Sequence, residues 1–104
     1  MQRHVITDVK AARHGFVFVT YADGFSGEFD LSAYIDKGLM FEPLRDEAYF
    51  KTVSIGEFGR SFGWNLNEFG EEIDFCADAT RFTLETNAVK ARAKAFRARL
   101  QAAE

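Results

Sequence analysis

Residues 15–31 read G-F-V-F-V-T-Y-A-D-G-F-S-G-E-F-D-L, two alternating runs divided by Asp23-Gly24. A two-residue turn whose twist suits its strands needs positive φ at both central positions, and Asp-Gly supplies it at low cost. The spacing predicts a β-hairpin closed by that turn. Before it, Phe16, Phe18 and Thr20 fall on one side and Val17, Val19 and Tyr21 on the other, both mostly apolar. Such a pattern suits a central strand covered on both faces. After it, Phe25, Gly27, Phe29 and Leu31 alternate with Ser26, Glu28 and Asp30, as in a half-buried strand.

The rest of the body reads around this hairpin. Residues 4–11 form a first strand, with Val5, Thr7 and Val9 opposite Ile6, Asp8 and Lys10, and His14 sits in a solvated turn. Asp30 or Ser32 can cap a short helix that stops at Lys37-Gly38. Pro43 suits a first helical position, and Asp46 can cap a further turn holding Ala48, Tyr49 and Phe50. Met40, Phe41, Leu44 and Phe50 are expected to close the core over one sheet face. Residues 52–55 read as a short strand. Residues 60–66 alternate with Phe62, Trp64 and Leu66 on one side, and residues 71–76 form a last strand with Ile73 and Phe75 inward. Phe18, Phe29, Phe41 and Trp64 are expected to be buried together. The class is α+β: a mainly antiparallel sheet of four to five strands, short helices and an amphipathic C-terminal helix.

From about Asn87 the period changes to helical. Val89, Ala93, Phe96 and Leu100 recur at steps of four, three and four. This narrow stripe is the expected packing face, at Val89, Phe96 and Leu100: the opposite charges of body and tail favour the chain's own acidic body, the spacing also suits a short coiled-coil seam and a homodimer, and a foreign partner is the third surface. Residues 76–82 allow at most one turn of helix before it. Two units follow: a small α+β domain over residues 1–84 and a basic helix over residues 85–104. Charge separates the same way. The first carries 8 basic and 14 acidic residues, net −6, and the second 5 and 2, net +3. An acidic body with a basic tail bears on partners rather than on fold.

Several chemistries fail on spacing. Gly59-Arg60-Ser61-Phe62-Gly63 matches a nucleophile elbow, but that fold needs a histidine downstream, and His4 and His14 both precede Ser61. Asn65 to Gly70 starts like a calcium loop, but Phe69 and Cys76 fall where oxygen ligands belong. One cysteine and two distant histidines make no zinc site, and no phosphate-binding glycine loop occurs. No cofactor or metal is expected. Cys76 alone rules out an internal disulfide, and no apolar run reaches the ~20 residues of a spanning helix. With an N-terminal stretch that lacks an apolar signal region, these features suggest a cytoplasmic protein without a membrane partner.

Two charged clusters remain as candidate sites. Glu68, Glu71, Glu72, Asp74 and Asp78 form an acidic patch suited to a protein partner, or to a small phage-type inhibitor that mimics nucleic acid. Lys90, Arg92, Lys94, Arg97 and Arg99 suit partner or nucleic-acid contacts. Phe96 is the only ring among the latter, which argues against a base-stacking surface.

The order V-I-T-D-V-K, V-T-Y-A-D-G with F-D-L, F-E-P-L-R-D-E-A-Y-F, G-W and E-I-D-F-C-A-D, across residues 5–83, resembles the DUF2442 family of small bacterial proteins. The resemblance rests chiefly on residues 41–46 and 72–78. It implies a small α+β domain with a mainly antiparallel sheet and no catalytic residues. It also implies a gene beside one of the DUF4160 family, arranged like a toxin–antitoxin pair, and hence a non-enzymatic, antitoxin-like or accessory role. Some relatives carry a C-terminal DNA-binding domain, whereas here a single basic helix follows.

The turn assignment yields a test. Gly24→Val places a β-branched residue at positive φ and should cost ~1–3 kcal/mol. An unchanged melting temperature would refute the turn.

Overall fold

Strands β1 (Ile6–Arg13), β2 (Phe16–Tyr21) and β3 (Ser26–Asp30) pair antiparallel in that order in the computed structural model, which describes residues 4–103. The hairpin is present, but its loop has three residues instead of two. Tyr21 N–H donates to Phe25 O at 2.8 Å, Gly24 N–H donates to Tyr21 O at 3.0 Å, and only Gly24 in the loop has positive φ, at 91°. This is a turn followed by a left-handed glycine, the next most common hairpin closure. The Asp23 side chain favours it by accepting from Phe25 N–H at 3.2 Å.

β2 is central in its sheet, yet only one of its faces is covered. Val17, Val19 and Tyr21 are buried, while Phe16, Phe18 and Thr20 are half-buried on the opposite side. The expected burial of Phe18 with Phe29, Phe41 and Trp64 is therefore corrected. Cationic stems shield the open face instead: the Arg13 guanidinium lies 3.9 Å from the Phe16 ring centroid, and Lys10 Nζ 5.9 Å from that of Phe18. β1 departs from strict alternation as well. Ile6 pairs with Tyr21, but Asp8 pairs with Thr20, so two residues oppose one. The bulge turns both Ile6 and Val9 toward the core, which simple alternation places on opposite faces.

Residues 31–53 carry the chain over the core. Asp30 Oδ1 accepts from Ser32 N–H at 2.8 Å at the start of α1 (Ser32–Lys37). A 3-10 segment, Leu39–Arg45, follows, with Pro43 inside it and not at its start. Asp46 caps α2 (Glu47–Phe50), accepting from Ala48 N–H at 3.0 Å. Leu44 and Phe50 are fully buried here and Phe41 partly, but Met40 points outward. His14 is more than a solvated turn residue: its Nε2 lies 2.8 Å from Leu44 O and its ring packs edge-on to Phe50.

After this excursion the strands start a new sheet. β4 (Ser54–Ile55), β5 (Ser61–Trp64) and β6 (Ile73–Cys76) pair antiparallel in that order. Two three-stranded sheets thus replace the expected single sheet of four to five strands. Alternation shows that a segment is a strand but not which sheet it joins, and about twenty residues separate β3 from β4. The cross-strand pairs Phe62–Phe75 and Trp64–Ile73 share the core face. Phe29 couples the two sheets, edge-on to Phe62 at 6.1 Å and to Phe75 at 5.8 Å between centroids. Trp64 is fully buried, with Nε1–H donating to Phe50 O at 2.8 Å.

β6 runs directly into α3 (Ala77–Ala103), 27 residues long. Residues 77–82, expected to hold one turn at most, are the start of this helix, which crosses the 84/85 boundary without a break.

Gly63 faces the Ile73 carbonyl so closely that a Cβ would land on its oxygen. Gly63→Ala should force β5 and β6 apart and cost ~1–3 kcal/mol or more, with Trp64 emission shifting to the red. Unchanged stability and emission would count against this pairing.

Candidate functional site

The start of α3 is held by two arginine–aspartate pairs, one from each sheet. Arg81 reaches the hairpin loop: Nη1 donates to Asp23 Oδ1 at 3.1 Å and Nη2 to Oδ2 at 2.9 Å. Its Nε donates to Glu85 Oε1 at 3.0 Å, one turn on. The guanidinium lies 4.0 Å from the Phe25 ring centroid and 5.0 Å from that of Tyr21, and the side chain is only 8% exposed. On the other side, Arg60 Nη2 donates to Asp78 Oδ2 at 2.9 Å, while Asp78 Oδ1 accepts from His4 N–H at 2.9 Å. Arg60 Nη1 also donates to His4 O at 2.9 Å. Leu84 packs on Gly27, where a Cβ would meet it at 3.2 Å.

Hydrogen bonding from Arg81, then from Phe25 N–H, holds the Asp23 carboxyl below its ordinary value. His4 N–H, then Arg60, does the same for Asp78. Burial pushes the Tyr21 hydroxyl, which donates to Ala77 O at 2.9 Å, up to about 12. These shifts belong to a structural joint: every group in it is matched to a partner within the chain.

The acidic patch does not come together as one surface. Glu68, Glu71 and Glu72 lie on the β5–β6 connection and Asp74 on β6, while Asp78 lies beyond the other end of β6 and is engaged by Arg60 and His4. Glu72 accepts from Gly70 N–H at 2.7 Å. Beside Glu71 and Glu72 is a cleft of about 360 Å³ lined in part by Leu39, Met40 and Tyr49. Leu39 and Phe69 project into solvent nearby.

The basic cluster lies on the free length of α3. Lys90, Arg92, Lys94, Arg97 and Arg99 are all exposed, and none forms an ion pair among the described residues. The stripe expected to pack this helix is bare. Val89 is 63% exposed, Phe96 55% and Leu100 52%, so the chain's own body does not receive them. Phe82, 72% exposed, extends the same line by seven residues and was not evident from the helical run beginning near Asn87. At about 100° per residue, this line lies roughly 140° round the helix from the body-facing side that carries Ala77, Thr80, Arg81 and Leu84.

The body-facing side beyond Leu84 continues as Ala88, Ala91, Ala95 and Ala98. Alanine buries too little area to hold a helix down, which explains why α3 leaves the body there. Arg81 itself had no sequence signal: it meets Asp23 across 58 positions, and only its i,i+4 relation to Glu85 is local.

Among the described residues, no group of His, Cys, Asp and Glu could hold a metal ion, and no helix is long and apolar enough to cross a membrane. Comparison with protein-family models, curated proteins and solved structures gives no match to this chain.

Arg81 yields the next prediction. Arg81→Ala should lower stability at neutral pH by about 2 kcal/mol, the range for charge-assisted hydrogen bonds, moderated because Asp23 is half-exposed. Arg81→Lys should recover little of it, lacking the two-pronged geometry. The depressed Asp23 pKa contributes stability that is full above the unfolded carboxylate value of ~3.9 and is lost as pH falls through the lower folded value. Asp23→Asn should therefore flatten the acid limb of a urea-stability profile in that window. An unchanged acid limb would show that the pair does not anchor α3.

Proposed function

We propose that this chain is a non-enzymatic protein-interaction module, antitoxin-like or accessory, and that it binds a protein partner through the free length of α3. The observation that carries this reading is the line Phe82, Val89, Phe96, Leu100: four large apolar side chains in water on a helix anchored at one end. Scattered exposed apolar residues are ordinary, but a contiguous line on one helix face is a contact surface. The DUF2442 resemblance supports the same role through its toxin–antitoxin arrangement. The acidic turn at Glu68, Glu71 and Glu72, with Leu39 and Phe69 beside it, is a secondary candidate surface.

A second reading, nucleic-acid binding, is favoured by the five cations along α3 that form no ion pair among the described residues. One experiment separates the two. A photo-crosslinking residue at position 96, with position 94 as a control off the line, should capture a discrete protein adduct in living cells of the native host. Adducts that nuclease removes would favour nucleic acid. Absence of any adduct specific to position 96 would sink the protein-interaction reading.

A further inference from the structure

The flanks of the exposed line specify what kind of chain covers it. Phe82, Val89 and Phe96 recur every seven residues, and so do Thr86, Ala93 and Leu100, offset by four. That is a 3.5-residue seam, the signature of pairing with another helix. Its two edges are Glu85, Arg92 and Arg99 on one side and Thr83, Lys90 and Arg97 on the other. The sole acid of these edges, Glu85, is already held by Arg81 in its own chain. Beyond it both edges are cationic.

Resting on the proposed role of α3 as a protein-contact surface, we infer that the partner is an acidic amphipathic helix, with apolar residues at its own seam and Asp or Glu along both flanks. A second copy of this chain is a poor occupant. Parallel pairing sets Arg92 against Arg97 of the second copy, because edge residues five positions apart meet across such a seam. Antiparallel pairing sets Arg92 and Arg99 against each other, and likewise Lys90 and Arg97. Parallel pairing also brings Glu85 opposite Lys90 of the second copy, but Glu85 is already held by Arg81; the pairings beyond it are between like charges, which selects against self-association. A partner with acidic edges meets a cation at each of these positions. The seam is also narrow: Ala93 and Thr86 leave it shallow between the larger side chains, which fits one facing helix better than a lipid surface needing a broad apolar face.

The site is already in order before binding. The clamp at Asp23, Arg60, Asp78 and Arg81 fixes the first two turns of α3, so the remaining turns extend a helix that is already nucleated. Beyond Leu84, α3 runs on for roughly 28 Å, at about 1.5 Å per residue.

The test uses the full chain and two designed probes of equal length, both with Leu at the seam: one with Glu on both flanks, the other with Lys. Fluorescence anisotropy should show the Glu peptide binding and the Lys peptide at least tenfold weaker. Binding of the Glu peptide should weaken by about tenfold between about 50 mM and about 500 mM salt. Phe96→Ala with Leu100→Ala should weaken it at least tenfold without changing the melting temperature, since both residues are exposed. Equal binding of the two peptides, or none of the Glu peptide, overturns the inference. Dimerisation of the protein alone that the double substitution abolishes overturns it in favour of a second copy. Uptake onto anionic vesicles without Glu-peptide binding overturns it in favour of a membrane surface. A protein adduct at position 96 together with failure of the Glu peptide would leave the interaction role standing and remove only the acidic-helix assignment.

Discussion

The junction of α3 with the two sheets depends on one buried guanidinium. Arg81 has a carboxylate of the hairpin loop at its fork, a carboxylate of its own helix at Nε and the rings of Tyr21 and Phe25 packed beside it. Burying a charge is tolerable only when it is paired and hydrogen-bonded, and here both conditions are met. Asp23 closes the hairpin through Phe25 N–H and receives Arg81 with the same carboxylate. The turn that organises the first sheet is therefore also the socket for the helix. Arg60 and Asp78 repeat the arrangement from the second sheet. Two small sheets that share an aromatic core through Phe29 are thereby tied to a common helix as well as to each other.

The hairpin, the short capped helix at Asp46, the inward Phe62, Trp64 and Ile73 of β5 and β6 and the helical period of the tail were all legible in the chain, because each is local, whereas Leu66, expected on the same side, falls in the loop after β5. Alternation, a cap and a turn residue act within a few positions. What escaped was long-range or depended on one-residue detail. The bulge at Thr7 and Asp8 reverses the facing of part of β1, and no composition signal marks it. Phe18 looks like a core residue by type, but among the described residues no element packs over its face of β2, and the stems of Lys10 and Arg13 shield that face only partly. The division into two sheets follows from where residues 31–53 carry the chain. The acidic residues were legible as a cluster in sequence, yet β6 separates Asp78 from Glu68, Glu71 and Glu72. The basic cluster was legible in full, since a helix places its residues by counting.

The helix change at Leu84 follows from area. Up to that point the body-facing side offers Arg81 and Leu84, with Gly27 leaving room for the latter. Beyond it the same side offers only alanine, while the larger apolar residues have moved to another face. A helix built to fold back would keep Leu or Phe on the inward line. Here the inward line is emptied and the outward line filled, so the sequence opposes collapse of the tail onto the acidic body despite their opposite charges. Exposed ion pairs contribute ~0–1 kcal/mol each, and folding back would bury only bare alanine while the Phe96 line stayed in water, so charge alone does not bring the tail down.

Anchoring one end of α3 has an energetic consequence for recognition. A free peptide of this length is marginal as a helix in water, and a partner would have to order it at a cost taken from affinity. Attached to the clamp, the helix extends from turns that tertiary contacts already hold, and its alanines favour propagation. For the partner proposed above, the seam would be presented nearly in its bound form, which raises affinity by removing an ordering cost rather than by adding contacts. The linkage also runs in reverse. Any ligand that binds the ordered seam stabilises the helix and, through Arg81 and Asp78, the junction of both sheets. Under the proposed role, residues as far from the seam as Asp23 would influence binding through helix order while touching no partner.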